Sequence, residues 1–375
     1  MKRNREEEEE KLEMDIVWQT PADPPKRQDY IFRDGKRYVK PYYFEFISHV
    51  KNRWAGKTIV DLFSEEFRGR PYEYYVSAVK SGRIKVDGEM VHVSYIVRSS
   101  QKISHFVHRH EPPLMANGVS ILQEENDVVT VCKPASIPVH PCGQYRKNTV
   151  VGILEAEHEL APLFPVHRLD RPVSGLLILA KSASRADIFR QQIEGGMVKK
   201  QYIAKVIGEF PENEQVVNAS INYNAREGRS TAESDGSNKP LKGKVACTKF
   251  SRIRTNGTHS IVLCEPVTGR THQIRVHLQH IGHPIANDAL YLSNHLAPQD
   301  LRRQAEEPLE LVDPDACSKK DEELMFKIDP MCTNCPHLGP KGYGEEQEGL
   351  WLHCIRYSGP GWEYECPHPC WASLY

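Results

Sequence analysis

The densest chemistry in the chain is PVHRLDRPVSGLLILAK, residues 165–181, where Asp170 stands between Arg168 and Arg171 just ahead of an apolar run. A carboxylate flanked by guanidinium groups is favoured in its ionised form. Held at the edge of a rigid element, it suits attack on a sugar anomeric carbon, or stabilisation of positive charge developing there. The same residue types also make a structural Asp–Arg pair that braces a loop, and local chemistry leaves both readings open. No GxxxxGK[ST] loop, GxGxxG turn, HExxH helix or GxSxG elbow occurs. A nucleotide cofactor and a serine nucleophile therefore lack support.

A second cluster is Cys332-Thr-Asn-Cys335, followed by His337, His353, Cys354, Cys366, His368 and Cys370. A CxxC with later Cys or His can form a structural zinc site. The downstream spacing is irregular and no second CxxC follows. Reduced, part-buried thiols are the expectation: no metal is assigned, and Cys332 and Cys335 stand as weak candidates.

The elements that position these residues follow from pattern. TIVDLFSEEF places Ile59, Leu62, Phe63 and Phe67 at helical spacing, and YEYYVSAVKSG gives a second helix ending at Gly82. RIKVDGEMV reads as a hairpin turning at Asp87-Gly88. Two helices and a hairpin, rich in Lys and Arg, resemble the S-four RNA-binding domain over about fifty residues. The preceding aromatic and basic stretch, Tyr30 to Trp54, suits either base stacking or packing against the next unit. His110 to Leu114 (HEPPL) reads as a linker. Beyond it, VSILQEENDVVTVCKP suggests two strands around Glu125–Asp127, and SGLLILAK a buried strand. SRADIFRQQIEGG suggests a helix capped by Ser184, KKQYIAKVIGEF and HSIVLCEPVTG further strands, THQIRVHLQHIG a helix and HPIANDALY a loop.

VHRLDRPVSGLLILAK closely resembles the catalytic motif of the RluA-type RNA pseudouridine synthases. Four more landmarks follow that family's order: CKPASIPVHP (132–141), KKQYIAKV (199–206), GRTHQIRVHLQHIGHPI (269–285) and WLH (351–353). The basic lead-in and split tail look most like the eukaryotic RNA pseudouridylate synthase domain-containing proteins. The resemblance implies an α+β pseudouridine synthase fold with a mixed, largely antiparallel central sheet and a small N-terminal S-four-like RNA-binding domain. It implies isomerisation of uridine through an essential aspartate: the base detaches, rotates and reattaches through carbon 5, with no cofactor. Asp170, Tyr202 and Arg275 match the catalytic positions. Tyr202 would stack beside the uracil and assist proton removal, and Arg275 would pair with the aspartate. Arg168 matches the residue that helps displace the target base, and His167, Arg270, His272 and Gln273 join it as substrate-binding candidates. His140, His167, His272 and His277 suit hydrogen-bonded bracing better than proton exchange. Val173 stands where the family often has Thr, a change without chemical consequence.

Length and charge frame this reading. A chain of 375 residues suggests two or three domains, and 39% hydrophobic with 26% charged residues places it among soluble globular proteins. The expected organisation is an acidic tail at 1–25, a basic aromatic lead-in at 26–57 and an S-four-like domain at 58–108. A catalytic domain at 112–292, an acidic insertion at 293–349 and a returning C-terminal element at 350–375 complete it. No run approaches the ~20 apolar residues of a membrane span, so no membrane partner is expected. The start, MKRNREEEEEKLEM, lacks an apolar core and is too acidic for a transit peptide, which points to cytoplasm or nucleus and to reduced cysteines. The net charge of -1 hides asymmetry: Lys26–Arg109 holds 17 Lys/Arg against 9 Asp/Glu, whereas Asp300–Tyr375 holds 7 against 15. A basic front points to an anionic partner. The expected partner is a uridine-containing RNA stem-loop, with transfer RNA first, bound by a monomer. The competing class is a catalytically silent RNA-binding protein or RNA chaperone of the same fold. A riboflavin-pathway deaminase fusion is disfavoured, because no HxE precedes a PCxxC.

Overall fold

The computed structural model describes residues 24–67, 69–225, 227–233, 243–292, 326–340 and 349–373. Nearly all of the expected 1–25 tail and most of the 293–349 insertion lie outside the described residues. Among the described residues, no helix is long and apolar enough to cross a membrane.

The front of the chain contains strands β1 (Tyr30–Arg33), β2 (Lys36–Val39) and β3 (Tyr42–His49), helices α1 (Ile59–Glu66) and α2 (Tyr72–Lys80), and strands β4 (Ile84–Val86), β5 (Lys102–Arg109) and β6 (Leu114–Met115). Thr58 starts α1, its Oγ1 accepting from the Asp61 backbone N–H at 3.1 Å. Ile59, Leu62 and Phe63 then pack against Tyr75, Ala78 and Val79 of α2, and all six are buried over the antiparallel sheet β3–β5–β4. Phe67 falls past the helix end and is 43% exposed, contrary to the helical spacing read for it. The Asp87-Gly88 turn forms, both residues at positive φ. Its second arm contributes only an isolated bridge, Glu89 to Val86. The lead-in is mainly packing. β1, β2 and β6 form a second sheet that presses Tyr30, Val39 and Leu114 against Val150, Ile153 and Leu154 of helix α3 (Val150–His158).

The body holds strands β7 (Ser120–Glu124), β8 (Val128–Lys133), β9 (Phe164–Pro165) and β10 (Ser174–Ala180), helix α4 (Ala183–Glu194) and strands β11 (Lys199–Ile207) to β12 (Gln215–Asn218). Strands β13 (Ser220–Asn224), β14 (Arg229–Glu233), β15 (Cys247–Thr255) and β16 (His259–Pro266) come next, then helices α5 (Gln273–His280) and α6 (Ala289–Leu292). The chain closes with β17 (Leu352–Gly359) and β18 (Trp362–Glu365).

The main sheet runs β12-β15-β16-β11-β17-β10-β8-β7, antiparallel throughout except for the parallel pair β10–β17. It is the mixed, largely antiparallel sheet expected, with few helices. β10 explains why SGLLILA is a continuous apolar run. Leu176, Ile178 and Ala180 enter the core on one face with Phe189 and Tyr202, while Leu177 and Leu179 enter the opposite core with α3. A strand buried on both faces has no side to leave polar. Helix α4 is capped by Ser182, whose Oγ accepts from Arg185 N at 3.2 Å, not by Ser184 two residues on. HPIANDALY is not wholly loop: its end forms the single turn α6, which buries Tyr291.

At Gly175, φ is +114°, and a Cβ there would fall 2.2 Å from the Cys354 carbonyl oxygen of β17. Only glycine allows β10 and β17 to approach at that point.

Candidate active site

Asp170 lies in the turn that feeds β10, anchored by the buried Leu169 and by Val173 N donating to its carbonyl at 3.0 Å. Beneath the turn is Lys133, the last residue of β8 and fully buried. Its Nζ donates to the carbonyls of Ile137 at 2.7 Å, Pro134 at 3.0 Å and Arg171 at 3.1 Å. Burial pulls this amine down to about 7, with Asp170 acting in the opposite direction. Three carbonyl acceptors need three N–H donors, which only the protonated amine supplies. Lys133 thus ties the Asp170 turn to β8. The landmark CKPASIPVHP contained this residue, but nothing in the sequence marked it as a brace.

The Asp170 carboxylate is 23% exposed and faces two groups of the α5 region: Arg275 Nη1 at 3.5 Å and His272 Nε2 at 3.7 Å. Arg275 is itself held by Asp288, Nε to Oδ2 at 2.7 Å and Nη2 to Oδ1 at 2.8 Å. Such a bidentate pair fixes the guanidinium plane. Sequence reading missed Asp288, because it sits in a stretch taken as loop with no motif role. His272 begins α5 in the left-handed region, φ 56°, a costly conformation for a residue with a side chain. Its Nδ1 lies 2.9 Å from the Tyr291 hydroxyl, which accepts the Ser230 N–H at 2.9 Å. With its acceptor role filled by Ser230, the phenol donates to Nδ1, which leaves the His272 proton on Nε2, facing Asp170. Burial keeps His272 below its ordinary value, outweighing Asp170, so the ring is neutral at neutral pH.

Tyr202 sits on β11 opposite Cys354 of β17, whose other neighbour is Gly175 of β10. It therefore lies two strands, roughly 10 Å, from the strand that Asp170 leads into. Its ring is buried, and its hydroxyl is 2.9 Å from that of Tyr357. Burial, then the neighbouring Tyr357 and Cys354, push the phenol well above its ordinary range. Tyr202 is thus a protonated phenol whose hydroxyl is paired with Tyr357.

The remaining candidates divide. Arg168 is exposed and lines a cavity of about 270 Å³ with His140, Tyr145 and Arg171 beside the Asp170 turn. Arg270 is also exposed, its Nε donating to the Val245 carbonyl at 3.2 Å. Gln273 is buried with its amide engaged inside the protein: Nε2 donates to Cys247 O and Thr248 Oγ1, and Oε1 accepts from Thr268 Oγ1 and Arg270 N. It shapes the 268–272 turn and has no donor left for substrate. His167 likewise faces inward, stacked on Tyr357 at 4.3 Å, with Nε2 accepting from Ile178 N at 3.3 Å. Burial, then Lys200, lower it to about 3. Both are corrected from substrate-binding to bracing positions. His277 is a brace as read, between Thr248 Oγ1 at 2.9 Å and the Ala219 carbonyl at 3.1 Å. Cys332 and Cys335 do not meet residues 353–370; they meet His108 and His110 at the end of β5.

The chain is similar to known proteins over most of its length. Residues 127–280, which contain Asp170, Tyr202 and Arg275, match the family model for RNA pseudouridylate synthase. Two plant proteins named RNA pseudouridine synthase 7 are each 66% identical. The one from Oryza sativa subsp. japonica matches over 96% of both chains, and the one from Arabidopsis thaliana over 97% of this chain and 93% of its own. The mitochondrial tRNA pseudouridine(32) synthase of Saccharomyces cerevisiae is 35% identical over 90% of this chain and 77% of its own. The chain belongs to the RNA pseudouridylate synthase family. It is an isomerase that forms pseudouridine in RNA, and the silent RNA-binding alternative is not favoured.

Proposed function

We propose that Asp170 is the group that acts at the uridine C1′, with transfer RNA as the substrate. The observation that carries this reading is the Asp170 carboxylate, part-exposed at the meeting of Arg275 and His272, each fixed from behind by Asp288 and Tyr291. In the isomerisation the N1–C1′ bond breaks, the uracil turns over, and a C5–C1′ bond forms. The C5 proton departs and N1 gains one. Asp170 meets the developing positive charge at C1′ or attacks it. Arg275 and the Nε2–H of His272 hold the carboxylate in one orientation. Tyr202 stays protonated beside the ring, and any proton it moves passes along its hydroxyl pair with Tyr357. Arg168, at the rim, fills the place of the extruded base, which costs a few kcal/mol to unstack.

Transfer RNA is supported by the yeast relative's name, which specifies that substrate for that protein. The front unit of α1, α2 and sheet β3–β5–β4 is assigned an S-four-like RNA-binding role, on its surface cations Lys80, Arg98 and Lys102. The test is pseudouridine mapping of tRNA incubated with wild-type and Asp170→Asn protein. Modification by the wild type and none by the variant is the expected result; equal modification by both sinks the assignment of Asp170. If rRNA or mRNA is modified and tRNA is not, the substrate reading falls and the residue reading stands.

A further inference from the structure

We propose that His108, His110, Cys332 and Cys335 form a structural zinc site joining the end of β5 to the segment that precedes β17 in the chain. The four ligand atoms lie within 4.8 Å of one another, although the two pairs are over 220 residues apart in sequence. Three edges are measured directly. His108 Nδ1 is 3.3 Å from His110 Nε2, and Cys335 Sγ is 3.3 Å from His108 Nδ1 and 3.5 Å from His110 Nε2. A tetrahedral zinc with Zn–N of ~2.0 Å and Zn–S of ~2.3 Å has edges of about 3.3 Å between nitrogens and about 3.5 Å from nitrogen to sulfur. The observed edges fit that polyhedron.

The surroundings are those of a closed site. His108, His110 and Cys332 are buried and Cys335 is half-buried, which leaves no position for a substrate. His108 and His110 are two residues apart on extended chain, so their rings share a face. The second ring nitrogen of His110, Nδ1, lies 3.2 Å from the Leu338 carbonyl, which takes its proton and leaves Nε2 as the lone-pair atom. The knuckle is also shaped independently of any ion. Buried Asp329 accepts from Arg83 Nη2 and from Met331 N, both at 2.9 Å, and the Asp329 carbonyl accepts from Cys332 N at 2.9 Å. Phe326 stacks on His108, closing the other side. Two thiolates and two imidazoles select zinc over the hard cations. A two-iron cluster with the same donors puts its thiolates and imidazoles on different irons, whereas sulfur–nitrogen edges of 3.3 and 3.5 Å belong to a single ion.

A second thiol–imidazole cluster among the described residues is a useful contrast. Cys132, His353 and Cys366 also lie close together, but both nitrogens of His353 are engaged, by Ser174 Oγ at 2.8 Å and the Pro367 carbonyl at 3.1 Å. That histidine has no lone pair to give. The sequence spacing hid the proposed site, because its histidines lie upstream rather than in 353–370.

Metal analysis of the purified full chain, expressed in zinc-supplemented medium, tests this. About one zinc per chain is expected, falling below about a tenth in Cys332→Ser and Cys335→Ser but retained in Cys366→Ser. Should the serine variants fail to fold, wild-type protein expressed in cobalt medium replaces them, since a tetrahedral site shows thiolate-to-cobalt absorption and intense visible bands. Titrating the wild-type thiols with an organomercurial should release the zinc in step. A natively folded, active wild type without zinc, a Cys332–Cys335 disulfide by mass spectrometry, or a cobalt spectrum of octahedral type would each overturn the proposal.

Discussion

Asp288 grips Arg275 through two hydrogen bonds, of 2.7 and 2.8 Å, and so leaves Nη1 as the one guanidinium end aimed at Asp170. A carboxylate that never meets substrate thus sets the direction of the arginine that does meet the catalytic candidate. Asp288→Ala leaves the buried Arg275 without its main counter-charge, and we expect a stability loss of about 3–5 kcal/mol. Asp288→Asn keeps one acceptor and should fold, with pseudouridine formation lowered at least tenfold and RNA affinity unchanged. Denaturant unfolding and single-turnover assays read the two effects separately; an Asn variant at full activity would show that Arg275 needs no such support.

Asp170→Asn should cut turnover by about 10³-fold or more, the loss of at least ~4 kcal/mol of transition-state stabilisation. Asn keeps the shape of the aspartate side chain, so the unfolding midpoint should stay near wild type. A variant retaining a tenth of wild-type turnover would remove Asp170 from its role.

Lys133→Met replaces the buried ammonium by a side chain of similar length and orphans three carbonyls, those of Pro134, Ile137 and Arg171. Each unsatisfied group costs roughly 1–3 kcal/mol. We expect a destabilised protein whose remaining folded fraction binds RNA and reacts slowly, because the Asp170 turn has lost its tie. Crystallographic displacement of Asp170 in the variant is the decisive readout; an unmoved turn with normal turnover contradicts the tie.

Acid should weaken the fold through buried histidines. His105 and His167 are lowered to about 3 and His353 to about 4, in each case by burial first. Unfolded histidines titrate near 6.5, so between that value and the folded ones the unfolded chain binds more protons. Stability is therefore full above about pH 6.5 and is lost as pH falls toward 3, with each unit of separation equal to about 1.4 kcal/mol. Urea midpoints at pH 7.5 and 5.0 should differ clearly, and a His167→Gln variant, if folded, should show a shallower slope. Identical slopes would mean that His167 is not buried neutral.

The front unit is best tested by charge reversal. Removing residues 1–108 would strip Tyr30 and Val39 from the core against α3, and with them the Tyr30 hydroxyl that donates to Lys147 O at 2.6 Å. Lys80→Glu, Arg98→Glu and Lys102→Glu act on exposed cations instead. Together they should weaken RNA binding and flatten its dependence on salt, since each lost phosphate contact lowers the slope by about 0.9. An unchanged slope removes the RNA role from this unit.

What the sequence made legible was local or ordered. The both-faces-buried run of β10, the two helices of the front unit and the Asp170 motif could be read, because period and motif order carry them. The misses share a cause: they depend on which way a side chain points once the fold is in place, not on residue type or period. Ser182 and Ser184 are equally good caps by residue type, and only the observed start of α4 chooses Ser182. Gln273 and His167 are polar residues within a catalytic motif, and nothing local says that their polar atoms point inward. Asp288 declares itself only when Arg275, 13 residues away, is in place, and Lys133 only when the Arg171 carbonyl, 38 residues away, closes over it.

The position of β17 has a consequence for how the protein is made. Strand β17, residues 352–359, lies mid-sheet, joining β10 to β11. While a ribosome is still translating residues before 352, the sheet exists as two halves with facing unpaired edges, and every contact that unites them spans a long loop. Catalytic competence therefore waits on residues 352–359: Asp170 belongs to one half and Tyr202 and Arg275 to the other. A prematurely terminated chain carries all three residues and cannot bring them together, and its open strand edges mark it for aggregation or degradation.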